Sequence, residues 1–335
     1  MTTAMDTRLQ QLTQAAENAL PFWELNGAQL DLIKYRENAV YKLTGVNGEL
    51  FALRIHRPGY HDYASLLSEL QWMDALSQSG VATPEVIRNT SGELMTKVII
   101  PETGEDVYID LFAWVDGASL AADSDAMATA EQCHKIYYTI GEIAAQLHNH
   151  SSSWELPEGF KRHAWDLEGL VGEEPFWGRF WELELLTEEQ KSLLEEARAK
   201  AIELLNKLDT SPVNYGLIHA DFDPNNIMKE GDIVRPIDFD DAGFGWHMFE
   251  IATALYFMQT EPHYEVMKEA ILDGYRSKRS LSDEQLEHLD LFLALRGFTY
   301  LGWIRSRQET ETARELSGDL IARAVRQSRQ FLDKK

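Results

Sequence analysis

The residues best suited to chemistry lie within "HADFDPNN", which places His219, Asp221 and Asn226 close together, and in "IDFDD", which supplies Asp238, Asp240 and Asp241 a dozen residues later. Between them "IM", "KEGD" and "IVRPID" read as a short strand, a tight turn and a second strand. Such a hairpin brings Asn226 and Asp238 side by side at its open end. An amide oxygen and a carboxylate are hard donors and suit Mg²⁺. Asp221 precedes Asn226 on a loop, near enough to face the same space yet free to act on a substrate. A metal pair with a separate carboxylate meets the needs of phosphoryl transfer: the cation offsets phosphate charge, and the free carboxylate orients a hydroxyl and accepts its proton. Loops rich in Asp, Pro and Asn are also ordinary turns, so the spacing of all three residues matters more than any one.

These residues need a frame, and 335 residues suffice for one large or two ordinary domains. Hydrophobic residues make up 44% and aromatics 10%, enough for a sizeable core. The formal charge of −24 argues against nucleic acid or an anionic membrane as partner, since both need clustered Lys and Arg. The single cysteine, Cys133, leaves no internal disulfide and no Cys-rich zinc site. The first twenty residues lack the basic start and apolar run of a signal peptide. "LDLFLALRGFTYLGWI" is interrupted by Asp290 and Arg296 and reads as a buried helix rather than a membrane span. The expected location is the cytoplasm.

Periodicity predicts a helix over residues 6–20, then strands from Leu30 to Ile55 with a type I′ hairpin at Asn47-Gly48. A helix follows through "DYASLLSELQWMDALSQSG", then strands at "LMTKVII" and "DVYIDLFAWV". Beyond Gly117 the pattern turns helical, with long helices at "EQCHKIYYTIGEIAAQLHNH" and "TEEQKSLLEEARAKAIELLNKL", and three or so more at the end. His148 and His150, two apart on a helix, face different ways and make a poor metal pair. The expected architecture is α+β and bilobal. Residues 1–116 form a small antiparallel sheet with helices, and residues 117–335 a larger, mainly helical lobe.

"HADFDPNN" resembles the protein-kinase catalytic loop H-R-D-L-x-x-x-N, and "IDF" stands where that pattern has D-F-G. The non-Arg second residue, the Pro-Asn-Asn ending and "IDFDD" are more similar to the aminoglycoside phosphotransferase and choline kinase family, which has a protein-kinase-like fold. The resemblance extends over about residues 25–305 and includes homoserine kinase-like and bacterial stress-response kinase-like branches. It implies ATP and Mg²⁺ as cofactors, Asp221 as catalytic base, and Asn226 and Asp238 as metal ligands. It makes His219 a brace for the loop. The first lobe becomes nucleotide-binding, and the second catalytic and substrate-binding.

On the nucleotide side, "LFALRIHRPG" aligns Arg54 with the strand Lys of V-A-I-K that holds phosphates, and Glu69 in "SELQW" with its helix partner. Arg retains the charge and adds a fork of donors. No Gly-rich loop is present. "KYRENAVY" stands in its place, with Glu37 and Asn38 as phosphate caps, and Phe112 to Trp114 fall at the adenine hinge. The short stretch from Asp238 to Glu250 leaves no room for a phosphorylated activation loop, and Glu250 would brace the catalytic loop. Asp223, Asp240 and Asp241 concentrate negative charge beside the base, which suits a cationic acceptor or a second Mg²⁺. Three functions remain open: transfer to a small-molecule hydroxyl, transfer to protein Ser/Thr as in the stress-response branch, and a low-turnover nucleotide-binding scaffold.

Overall fold

The computed structural model describes residues 4–35, 38–123 and 125–334. The chain divides into two compact units: Met1–Gly117 with Leu156–Lys161, and Ala118–Glu155 with Arg162–Lys335.

The first unit contains α1 (Ala4–Ala19), β1 (Gln29–Tyr35), β2 (Ala39–Thr44), β3 (Leu50–Ile55), α2 (Tyr63–Gln78), β4 (Met95–Ile100) and β5 (Glu105–Ala113). The strands form an antiparallel sheet in the order β1-β2-β3-β5-β4. Side chains alternate between its faces. Tyr41, Leu43, Leu53, Ile55, Val107, Ile109 and Leu111 pack against Leu12, Ala15, Ala16 and Ala19 of α1. The alternate residues Arg54 and Asp110 point the other way, toward Glu69 on α2. Asp62 caps α2 by accepting from the Ser65 N–H at 2.9 Å. Leu156–Lys161 joins this unit through the Lys161 N–H, which donates to Ser68 Oγ at 2.8 Å.

The β2–β3 turn differs from the expected type I′ form. The register Thr44↔Leu50 leaves five residues in the connection. The Gly48 N–H donates to Gly45 O at 2.9 Å and the Gly45 N–H to Glu49 O at 2.8 Å. Gly48 has φ +93° while Asn47 is not left-handed. This is a type I turn closed by a left-handed glycine. The Glu49 carboxylate accepts from Asn47 Nδ2 at 3.0 Å, which favours the longer loop.

The second unit runs through β6 (Ala118–Ser119), α3 (Ala130–Ser151), β7 (Ala164–Trp165), α4 (Leu167–Val171), α5 (Glu188–Leu205), β8 (Tyr215–Ile218), β9 (Ile227–Glu230), β10 (Ile233–Pro236), β11 (Gly243–Trp246), α6 (His247–Tyr256), α7 (Tyr264–Lys278), α8 (Asp283–Glu287), α9 (Leu289–Ser306) and α10 (Glu311–Asp333). The chain thus ends in more helices than the pattern suggested, because the short α8 and the amphipathic α10 carry weaker apolar signals than α9. Strands β9 and β10 form the expected hairpin, with Ile227 paired to Pro236, and β6 extends it. α9 is buried nearly all round. Among the described residues no helix is long and apolar enough to cross a membrane.

Helices α3 and α7 approach closely because two glycines lack side chains at the contact. A Cβ on Gly274 would lie 1.9 Å from Tyr138 O, and one on Gly141 2.1 Å from Ile271 O. Beside this contact, the buried His148 of α3 bonds Tyr275 Oη of α7 at 2.8 Å and stacks on His247 of α6 at 4.1 Å. His247 Nδ1–H donates to Val213 O at 3.1 Å. Burial, with the nearby Arg279 charge, lowers His247 to about 3, and burial holds His148 well below its ordinary value.

Two outcomes follow. Gly274→Ala should destabilise the fold by about 1–3 kcal/mol in urea denaturation, since the obstructing atom is backbone. His247 leads to a pH dependence. An unfolded chain takes up a proton at His247 below its ordinary 6.5, whereas the folded one resists until about 3. Stability from this group is therefore lost as pH falls through that window. The stability gap between the wild type and His247→Gln, large at pH 7, should shrink on acidification to pH 4.

Candidate active site

Residues 219–226 leave β8 as a loop and return at β9. A fully buried carboxylate shapes the loop's start. Glu250, in the first turn of α6, accepts from the His219 N–H at 2.8 Å and from the Ala220 N–H at 2.7 Å. Burial raises Glu250 to about 7 against the lowering effect of these two bonds. The constraint forces Ala220 into the left-handed region at φ 65°, a conformation tolerated by a non-glycine only when its surroundings over-determine it.

His219 joins this loop to the next. The Asp221 N–H donates to its Nδ1 at 3.1 Å, so Nε2 carries the proton and donates to Ile237 O at 3.0 Å. Both ring nitrogens are engaged and the residue is fully buried. The Ile237 N–H in turn donates to Asn226 O at 2.8 Å. This pairing sits at the open end of the β9–β10 hairpin and places Asn226 beside the residue preceding Asp238. Asp238 is itself left-handed, with φ 65°. Asn226 Nδ2 donates to Asp221 Oδ2 at 2.5 Å and to Asp221 O at 3.1 Å, which turns the amide oxygen away from Asp221.

Asp221 has a further partner. The guanidinium of Arg296, fully buried on α9, ion-pairs with Asp221 Oδ1, donates from Nη1 to Ala220 O at 3.1 Å, and from Nη2 to Tyr300 Oη at 2.8 Å. The acids around Asp221 crowd one another. Burial and then the Asp221 charge push Asp223 up to about 6. Burial and the charges of Asp221, Asp240 and Asp238 hold Asp241 well above the usual carboxylate range. Asp223 accepts from the Asn225 N–H at 2.6 Å. Asp241 Oδ1 is buried and makes no hydrogen bond. The 238–242 backbone is held by the 162–165 segment: Arg162 donates to Asp240 O and Ala242 O at 2.5 Å, and Trp165 Nε1 donates to Asp241 O at 2.9 Å. Trp165 thus serves packing and loop support. Among the described residues no group of three or more His, Cys, Asp or Glu side chains could hold a metal ion. Asn226 with Asp238, one amide and one carboxylate, is a set of a different kind.

In the first unit Arg54 Nη2 lies 2.8 Å from Glu69 Oε1. It also forms a fork with Asp110, directly across on β5, through Nη2 at 2.7 Å and Nε at 3.1 Å. His56 Nε2 is 2.8 Å from the same carboxylate. Burial would raise Asp110, but Arg54 and His56 outweigh it and hold the group at about 2. The Phe112 ring packs 5.1 Å from the Arg54 guanidinium, and Lys42 Nζ sits 4.6 Å from the Trp114 ring. Asn38 Oδ1 accepts from the Arg57 N–H at 3.3 Å. Glu37 lies outside the described residues.

A model of the phosphotransferase enzyme family matches residues 34–282. The chain belongs to this family. Amicoumacin kinase of Bacillus subtilis (strain 168) is 23% identical to it, over 88% of this chain and 85% of that one. The structure of a microcompartment-associated aminopropanol kinase superposes with a TM-score of 0.83 at 29% identity, covering 96% of this chain and 97% of the other. Amicoumacin kinase hAmiN, solved with AMP-PNP, Ca²⁺ and Ami, has a TM-score of 0.78 at 20% identity and covers 99% of this chain and 97% of its own. The α+β, kinase-like fold expected from the motifs is therefore the fold of this phosphotransferase.

Two contributors to these clusters escaped the sequence reading. Asp110 carries a signal only as an acid inside the apolar strand "VYIDLF", and its pairing with Arg54 depends on strand register. Arg296 interrupts an apolar helical stretch, but nothing in the neighbouring residues shows what it faces. Glu250 offers a direct test of the loop's support. Glu250→Gln replaces one acceptor by an amide NH₂ aimed at a backbone N–H. It should cost about 1–3 kcal/mol in denaturant unfolding.

Proposed function

We propose that this phosphotransferase moves the γ-phosphoryl group of ATP to a hydroxyl of a small molecule, with Asp221 as base. The observation that carries this reading is the Asp221–Asn226 contact at 2.5 Å beside the β9–β10 hairpin, with Ile237 bonded to Asn226 and leading into Asp238. In the reaction the acceptor oxygen bonds to the γ-phosphorus, the bond to the β-phosphate oxygen breaks, and ADP leaves. Asp221 orients the hydroxyl and takes its proton. His219, with both nitrogens bonded to backbone, keeps the loop in place and moves no proton.

Asn226 and Asp238 would hold Mg²⁺. The hard oxygen donors and the buried, unbonded Oδ1 of Asp241 within an excess of carboxylates fit a divalent cation. When bound, it offsets charge on the phosphate oxygens. In the first unit, Arg54 braced by Glu69 is assigned to nucleotide phosphates, with Asn38 and its sequence neighbour Glu37 as further phosphate contacts and Phe112 to Trp114 at the base. The names amicoumacin kinase and aminopropanol kinase support a small-molecule acceptor over a protein one. Asp223, Asp240 and Asp241 favour an acceptor bearing an amine. The cytoplasm is the setting consistent with ATP as donor.

The test is γ-labelled ATP with Mg²⁺ and a panel of amino alcohols, hydroxy amino acids, aminoglycosides and casein. Label should appear on an amine-bearing small molecule; label on casein alone would instead establish a protein kinase. Asp221→Asn should reduce turnover by several orders of magnitude while AMP-PNP affinity stays near wild type. Asp238→Ala should abolish the metal dependence of nucleotide binding in calorimetry, and unchanged affinity would remove Asp238 from the metal site.

A further inference from the structure

An arginine buried in the apolar middle of α9 needs a physical explanation. Its neighbours on α9 include Phe292, Leu293, Ala294, Leu295, Gly297 and Phe298, all buried. Arg296 itself is 0% exposed. The guanidinium lies 4.3 Å from the Tyr300 ring centre, 5.4 Å from that of Trp177 and 5.9 Å from that of Phe249. Taking such a charge out of water costs several kcal/mol, and replacing a buried ion pair by apolar residues is often neutral or stabilising. Its Nε–H is also buried without a hydrogen bond. A core built only for stability would not need this residue.

The guanidinium engages neighbouring atoms of a single loop. Nη1 donates to the carbonyl of Ala220, the left-handed residue, and Nη2 pairs with Oδ1 of Asp221. Tyr300, one turn further along α9, accepts from the same Nη2 and fixes its direction. Ala220 is thus bonded on both sides of its peptide units, by Glu250 at N–H and Arg296 at C=O. Asn226 contacts the other carboxylate oxygen of Asp221. Being fully buried, Arg296 cannot reach an acceptor, and position 296 lies beyond the residues matched by the family model.

We infer that Arg296 is a positioning residue that, with Tyr300, sets the rotamer of Asp221 and the conformation of the Ala220 peptide for phosphoryl transfer. The inference rests on the reading of Asp221 as base. The alternative is that Arg296 only balances the buried charges of Glu250 and Asp223. A charge-balancing role would affect folding and every kinetic constant together. A positioning role would affect kcat while leaving nucleotide affinity intact, because a small misplacement of a reacting group costs up to about a hundredfold in rate.

The experiment compares full-length wild type, Arg296→Met, Arg296→Lys, Tyr300→Phe and Asp221→Asn. It measures transfer from γ-labelled ATP to aminopropanol, or to water where no aminopropanol is added. AMP-PNP affinity and thermal melting are measured on the same samples. The expected result is a fall in kcat of about a hundredfold for Arg296→Met, less for Arg296→Lys and several-fold for Tyr300→Phe, with AMP-PNP affinity within twofold. If Arg296→Met does not fold, Arg296→Lys and Tyr300→Phe carry the comparison. The inference is overturned if the variants that fold keep the wild-type kcat, or if kcat, AMP-PNP affinity and melting fall in step. Asp221→Asn separates the two layers. If it is inactive while the Arg296 variants are normal, only the positioning role fails; if it turns over like wild type, the base assignment fails as well.

Discussion

Two consecutive backbone amides, of His219 and Ala220, are held by one fully buried carboxylate, Glu250. The arrangement of the second unit's chemistry depends on this contact. It obliges Ala220 to adopt a left-handed conformation, and that turn aims Asp221 back toward Asn226 and Arg296. Glu250 can be buried at tolerable cost because both oxygens accept hydrogen bonds in a region where water cannot reach. The helix that carries it, α6, begins directly after β11, so backbone connectivity fixes where the Glu250 carboxylate can reach.

Around that anchor the site is built from loops that brace one another. His219 ties residue 221 to residue 237 through its two ring nitrogens. The Ile237 N–H ties the hairpin to Asn226, and the 162–165 segment holds the carbonyls of residues 240–242. Polar atoms of the backbone are paired with side chains sunk in apolar surroundings. Such bonds are strengthened by the low local dielectric and make the loops rigid without regular secondary structure. Burial first, and the charges of neighbouring acids second, raise the proton affinity of Asp223 and Asp241.

The first unit uses buried charge differently. Its sheet has an apolar face covered by α1 and a face on which Arg54 bridges Glu69 and Asp110, with His56 on the same Asp110 carboxylate. Arg54 is locked by a two-point fork from a strand neighbour as well as by the helix acid. A lysine would offer a single point charge to those carboxylates; the planar guanidinium matches two of them at once. This geometry accounts for an arginine rather than a lysine at position 54.

Much of this was legible in the sequence. Runs of β-branched and aromatic residues marked the sheet, most plainly in β2, where alternate residues are buried. Helical spacing marked α2, α3 and α5, and the acid-amide-acid spacing marked the loop and hairpin, since chain connectivity alone keeps Asp221, Asn226 and Asp238 near one another. The β2–β3 turn went differently: an Asn-Gly pair permits a two-residue turn, but strand register and the Glu49 side chain select a longer one. Asp110 and Arg296 became intelligible only in three dimensions. Asp110 meets Arg54 because β3 and β5 pair in one register, and Arg296 meets Asp221 because α9 packs beneath a loop that is 75 residues distant in sequence. Local chemistry and periodicity are written in neighbouring residues. The partner of a buried charge is decided by packing, which brings together atoms that the sequence keeps apart.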